Sequence, residues 1–239
     1  MKNNVLRIFA VLTLFGASAF AGSVNLISDP NFTNVTVACG SGYSNEQSST
    51  VGCSVAGGSF QQSLNSAWTF GDTAANQFWN GIGADGLTTA GTAFNPPSFT
   101  TPYGTFTQAA FLQGTGWVSE TVTGLTAGQQ YNLDFLLGSR YNYGGYNGDQ
   151  SVQVTVVGRT TDGSALYNLS SGSPFTLENV TFTASGTSET VTFLGENSGD
   201  HTAFLTDVSL TATPEPVSLV LFGTGLVGIG GFVRRRFSL

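Results

Sequence analysis

His201 is the only histidine in the 239-residue chain, and it stands beside Asp200 in the loop GENSGDHT. Paired with a serine and Asp207, it would supply the general base of a hydrolase. That chemistry also needs a nucleophile on a sharp strand-to-helix turn, and the Gly-x-Ser-x-Gly elbow is absent from the sequence. Carboxylate pairs such as Glu120 with Asp134, joined by Asp149, would suit glycoside hydrolysis if they faced one another across strands. Surface acids on strand faces account for the same residues without any catalysis.

Other residues point to binding instead. Asp29 and Asn31, together with Asp207, offer the oxygen ligands that calcium accepts in flexible geometry. Asp29-Pro30-Asn31 is equally an ordinary β-turn. Arg140, Tyr141, Tyr143 and Tyr146 lie in the glycine-rich stretch RYNYGGYNGD. Aromatic faces stack on the C–H faces of sugar rings while Arg, Asn and Asp take the hydroxyls, so this loop has the ingredients of a carbohydrate site. Trp68 and Trp117 read as core residues. Cys39 and Cys53 bracket a Gly/Ser-rich segment of about 15 residues and read as a disulfide, worth about 3 kcal/mol in the chain-entropy model.

Strands must position these groups. Between Gly22 and Thr213 helical periodicity is nearly absent, and short alternating runs rich in Val, Thr, Phe and Tyr recur between Gly, Asn and Ser. The runs are 24–28, 34–38, 59–64, 67–70, 105–112, 117–123, 129–137, 151–157, 179–184, 189–194 and 203–211. The stretch 76–102 carries Asn-Gly, Asp-Gly and Pro-Pro punctuation and reads as a long surface excursion. This pattern predicts an all-β fold, a jelly-roll β-sandwich of about eight or more main strands. Four Thr-x-Thr pairs (105/107, 121/123, 181/183 and 190/192) also place threonines on shared strand faces, as an ice-binding surface would require.

The two ends carry a different signal. Lys2 and Arg7 precede an apolar stretch from Ile8 to Phe20, and Ala19-Phe20-Ala21 offers a signal-peptidase cut after Ala21. At the other end Pro214, Glu215 and Pro216 lead into an uncharged apolar run, Val217 to Val233, followed by Arg234, Arg235 and Arg236. A run of this length is that of a single transmembrane helix, and clustered arginines stay on the cytoplasmic side. The expected organisation is a signal peptide at 1–21, a β-sandwich domain at 22–212 and a sorting tail at 213–239. The part between the ends has Arg140 and Arg159 against thirteen acids and no lysine. Nucleic acid is thereby excluded as a partner, because binding it requires cationic contacts to phosphate.

The tail resembles the PEP-CTERM sorting signal of Gram-negative exported proteins, a segment also labelled after the C-terminus of an ice-binding protein. The resemblance implies an exosortase partner, transient residence in the inner membrane, and a final place at the cell surface or in the extracellular matrix. A second resemblance rests on NLISDPNFT, GLTAGQQYNLDFLLG and AFLTDVSLTA. These look like the first, middle and last strands of galactose-binding-like jelly rolls, among them carbohydrate-binding modules. In that group calcium is held by an acid after the first-strand Phe and another in the last strand; Asp207 matches the second, while Thr33 follows Phe32 at the first. The expectation is a non-catalytic surface or matrix protein associated with polysaccharide or adhesion. A secreted glycan-active hydrolase and an ice-binding protein are the alternatives.

Overall fold

A computed structural model describes residues 24–34, 43–45, 67–72, 83–89, 96–141, 148–157, 164–197, 199 and 201–213. These residues form two antiparallel sheets packed face to face, the jelly-roll sandwich expected from the alternating runs. The six-stranded sheet runs in the order β1 (Tyr43–Asn45), β3 (Gly83–Thr89), β6 (Gln108–Gly114), β13 (Thr202–Ala212), β8 (Gln130–Ser139), β11 (Thr176–Thr183). The five-stranded sheet runs β10 (Ser164–Leu169), β9 (Gln150–Val157), β12 (Ser188–Gly195), β7 (Gly116–Thr123), β2 (Thr69–Asp72). A short hairpin, β4 (Thr100–Thr101) with β5 (Gly104–Thr105), stands apart from both.

Alternation along each strand decides what is buried. On β8 Tyr131, Leu133, Phe135 and Leu137 face inward, and on β9 Val152, Val154 and Val156 do the same. Their counterparts include Val118 and Val122 of β7 and Val191 and Phe193 of β12. Phe135 meets Phe193 edge-on with ring centroids 5.0 Å apart. Such quadrupole-matched contacts add about 1 kcal/mol to the burial of each ring. Tyr167 of β10 donates its hydroxyl to the Asn179 carbonyl of β11, bridging the two sheets along their shared open edge.

Three strand assignments differ from the sequence pattern. Residues 24–28 run beside β13 without forming a strand. Leu26 N–H donates to the Leu210 carbonyl at 2.9 Å. Around it the Asn25 side chain accepts from Leu210 N–H at 2.9 Å and donates to the Val208 carbonyl at 3.2 Å. A side-chain amide thus takes over bonds a backbone ladder would otherwise make. The expected excursion at 76–102 contains β3, in which Leu87 is fully buried; the Asp85-Gly86 pair that reads as a turn lies within the strand. Ser164–Leu169, which the periodicity passed over, is the edge strand β10.

A second, smaller core lies on the outer side of the six-stranded sheet. Ala109, Phe111, Leu136 and Phe204 project there and are covered by Phe99 and Phe175, with Phe106 alongside. The Phe99 and Phe175 rings are 5.7 Å apart. Gly138 admits this cover, since a Cβ at that position would come within 2.9 Å of Pro97. Among the described residues there is no helix long and apolar enough to cross a membrane. The expected signal peptide, the Val217–Val233 helix, the sorting residues Pro214, Glu215, Pro216, Arg234, Arg235 and Arg236, and the Cys39/Cys53 pair all lie outside the described residues.

Candidate functional site

The Asp29-Pro30-Asn31 turn is held from several sides. Both Asp29 carboxylate oxygens accept backbone N–H bonds, from Thr33 at 2.8 Å and Asn34 at 3.1 Å. The Asp29 carbonyl accepts the Trp68 indole N–H at 2.9 Å. Phe32 adopts φ 56°, a conformation that costs a non-glycine residue free energy. Its fully buried ring, 5.0 Å from that of Trp68, fixes the turn in place. Val208 N–H donates to the Pro30 carbonyl at 2.9 Å, and the β13 ladder to β8 is interrupted between Thr206 and Ser209. Asp207 occupies that bulge with φ 50°, and burial raises its carboxyl above the ordinary range.

For calcium, this corner offers oxygens of the right kind. The Asn31 Oδ1 is buried without a hydrogen-bond donor. The described residues contain no group of three or more His, Cys, Asp or Glu side chains able to hold a metal. An ion here would draw chiefly on amide and backbone oxygens, alongside an Asp29 carboxylate already engaged by two N–H groups.

The three carboxylates considered for glycoside chemistry do not converge. Glu120 points into the core from β7, and its Oε1 accepts the Ser28 N–H at 2.9 Å. Burial raises its carboxyl, the Ser28 bonds oppose the rise, and nearby Asp29 adds to it. Asp134 lies on the outer face of the other sheet, where it accepts from the Asn132 amide at 2.7 Å. Asp149 sits in the segment leading into β9. His201 and Asp207 are also separated: six residues along a strand span about 20 Å.

What the fold does assemble is one end of the sandwich, around Gln150. Its fully buried side chain makes four hydrogen bonds, filling both amide hydrogens and both carbonyl lone pairs. Nε2 donates to the carbonyls of Gly114 at 3.0 Å and His201 at 2.9 Å. Oε1 accepts from Ser151 N–H and Asn197 N–H, each at 3.0 Å. The β6–β7 turn and the β12–β13 loop are thus fastened to the start of β9.

The candidate binding residues stand on this base. Arg140 N–H donates to the Thr202 carbonyl at 3.0 Å, and the Arg140 carbonyl accepts Gly172 N–H at 2.8 Å. Tyr141, 48% exposed, lies over Gly172, which has φ 77° and where a Cβ would crowd the ring at 3.1 Å. The Asp149 carboxylate accepts Ser171 N–H at 3.0 Å. The Asp149 carbonyl lies 2.9 Å from His201 Nδ1; because a carbonyl only accepts, that nitrogen carries the hydrogen. His201 is therefore a bracket of the loop end, seated over Gly148 where a side chain would collide with its ring. Tyr143 and Tyr146 lie outside the described residues.

Trp68 is buried in the core, as its sequence context suggests, whereas Trp117 is not. Val118, Glu120 and Val122 point inward from β7, so alternation turns Trp117 outward, half-buried across Gly71 of the neighbouring strand. The alternation of the run WVSETVT contains that signal, but the apolarity of an isolated tryptophan outweighs it.

The fold and this loop end define an antiparallel sandwich domain with a rigid, aromatic-bearing pole. No family model matches the chain, and no curated protein matches it. Among solved structures, the chain is similar to TmCBM61 in complex with β-1,4-galactotriose, at 12% identity and a TM-score of 0.48, covering 80% of this chain and 100% of that one. A sugar-binding protein from Bacteroides thetaiotaomicron gives 13% identity and a TM-score of 0.46, with 80% and 100% covered. An arabinose-bound MgGH51 α-L-arabinofuranosidase gives 11% and 0.46, with 79% and 26% covered.

Proposed function

We propose that the protein is a non-catalytic, exported surface or matrix protein that associates with polysaccharide. The observation that carries this reading is the loop end. Exposed Tyr141 stands over Gly172, next to Arg140 and near Asp149, on loops that Gln150 and the Arg140 backbone hold in place. A preset aromatic face flanked by hydrogen-bonding groups binds a sugar without first losing loop entropy. Glu120, Asp134 and Asp149 each serve separate local bonds, which favours binding over hydrolysis.

Sorting is part of the same proposal. The Pro214-Glu215-Pro216 motif and Arg234–Arg236 support recognition by an exosortase after signal-peptidase cleavage, with passage through the inner membrane to the cell surface or matrix. Calcium at Asp29, Asn31 and Asp207 would brace the corner where the chain enters the sandwich.

A glycan array probed with the full chain, with and without calcium, tests the binding reading. The expected result is retention of at least one polysaccharide class, weakened about tenfold by Tyr141→Ala, the loss of one stacking contact of about 1.4 kcal/mol. Turnover of any glycan by the wild type, abolished by Glu120→Gln, would replace binding with hydrolysis. For sorting, the precursor's processing is followed in cells. Unchanged processing after deletion of Arg234–Arg236 would reduce the tail to a plain anchor.

A further inference from the structure

The outer face of the five-stranded sheet has a composition unlike the rest of the molecule. Direct Cα pairing aligns Thr69 with Ser119, Ser119 with Thr192, Thr192 with Thr155, and Thr155 with Ser164. One rank of hydroxyls therefore crosses all five strands. Four interstrand steps of about 4.8 Å give it a length of roughly 19 Å. A second rank, two residues along, pairs Thr121 with Thr190, their hydroxyls 3.1 Å apart, and continues to Val157. On the other side of the first rank, Trp117 pairs with Leu194, Leu194 with Gln153, and Gln153 with Leu166. Leu166 is 52% and Val157 62% exposed.

Two features make this face a built surface. Trp117 lies across Gly71, where any Cβ would overlap the indole, so the glycine lets a large aromatic lie flat on the sheet. Among the described side chains, no outward-pointing position within β2, β7, β9, β10 or β12 is charged, although the chain carries fourteen acids and a formal charge of −7. Glu120 of β7 and Glu189 of β12 are buried on the inner side, and Glu196 stands just past the end of β12.

We infer that this face docks a neutral polysaccharide chain, with the Trp117 indole stacking on a sugar ring and the hydroxyl rank bonding along its length. The inference rests on the polysaccharide reading above, but not on the loop end. Hydroxyls both donate and accept, so an array of them complements a ligand whose own groups are hydroxyls. Phosphorylated or carboxylated polymers would require cationic partners, which the face lacks. Threonine is stiff at χ1, so its hydroxyls are ordered before binding. The indole and the exposed Leu166 and Val157 interrupt the rank pattern with apolar relief, which suits the alternating C–H and O–H surface of a sugar chain better than a uniform lattice such as ice.

The test uses the full chain in affinity electrophoresis through gels containing neutral or acidic polysaccharides. Trp117→Ala and Thr155→Glu are compared with wild type and with Tyr141→Ala, and thermal melting confirms that each variant is folded. The expected result is retardation by a neutral polysaccharide, weakened at least tenfold by Trp117→Ala and by Thr155→Glu. Binding that survives both substitutions but is lost in Tyr141→Ala would overturn the sheet-face site while leaving polysaccharide association in place. Retardation by acidic polysaccharides alone would do the same. A wild type that binds no polysaccharide would overturn the broader reading with it. If Thr155→Glu instead abolishes self-association in sedimentation, or inhibition of ice recrystallisation, without affecting any sugar binding, the occupant is a second copy or ice and the inference falls.

Discussion

The two sheets turn different outer surfaces to their surroundings. On the six-stranded sheet, Phe111, Leu136 and Phe204 project outward and are roofed by Phe99 and Phe175, so part of that face is a second core. On the five-stranded sheet, the outward positions are mostly threonine and serine, with Trp117 laid across Gly71 and no charge among the described side chains. The strands are alike in length and pairing. What separates the faces is the 96–107 segment together with Phe175, which cover one sheet, while among the described residues no segment covers the other. Burial on both sides makes the first sheet structural, and an uncharged, half-exposed surface leaves the second free for recognition.

This contrast can be attacked at five points. The largest effect is expected from Phe204→Ala. Removing a fully buried ring from the roofed face should cost about 4 kcal/mol in chemical denaturation, as for other core aromatics; a loss below about 1 kcal/mol would mean the roof is not a core. Gln150→Ala comes next, at about 3 kcal/mol, because it strands backbone groups in two loops. Loosening of the loop end should show as faster amide exchange at Asn197 and Gly114, and unchanged exchange would contradict the hub role.

Gly71→Ala forces the Trp117 indole off the open face and should cost about 2 kcal/mol as a local overpacking strain. Tryptophan fluorescence should shift as the ring moves, and an unshifted spectrum would show that the indole does not rest there.

Glu120→Gln is a smaller effect with a definite sign. Burial raises this carboxyl above 4.5 in the folded protein. The native state therefore holds the proton more tightly than the unfolded chain, and this group's contribution to stability falls as pH rises from 4.5 through the raised value. The glutamine keeps an acceptor for Ser28 N–H and cannot ionise. Its melting temperature should exceed wild type at about pH 7 by more than at about pH 4; an equal difference at both would show that folding does not raise this carboxyl. Smallest of all, Thr192→Ala on the open face should change stability by less than about 0.5 kcal/mol. A larger loss would mean that the hydroxyl ranks hold the sheet together.

Much of the sandwich was legible because period-two alternation is written into strands such as Gln130–Ser139 and Gln150–Val157. The jelly-roll class follows from it, and Asp29-Pro30-Asn31 marks its own turn. The roofed face was not legible. Leu136 and Phe204 are buried on the side that alternation assigns to solvent, so β8 ends and β13 begins in an unbroken buried run that a half-buried strand would not show. The first strand was misread for the opposite reason, since the Asn25 amide makes backbone-like bonds that no propensity records. At the loop end, Arg140 and Tyr141 stood out by composition, whereas Gln150 did not. Nothing in a lone glutamine at the head of a valine strand announces that two distant loops will close upon it.

Thr213 gives the molecule a mechanical direction. Its N–H and hydroxyl both bond to Gln130, and its carbonyl accepts the Gln129 side chain at 2.8 Å, so pairing holds to the last described residue. The loop end lies at the other extremity of β13, ten residues away or roughly 30 Å. A load applied between a ligand held there and a tether continuing past Thr213 would run lengthwise along β13. That strand is paired on both sides, to β6 and β8. Pulled this way, its bonds would be sheared together instead of being unzipped one by one, and the sandwich would resist tension best along the axis joining its tail to its farthest loops.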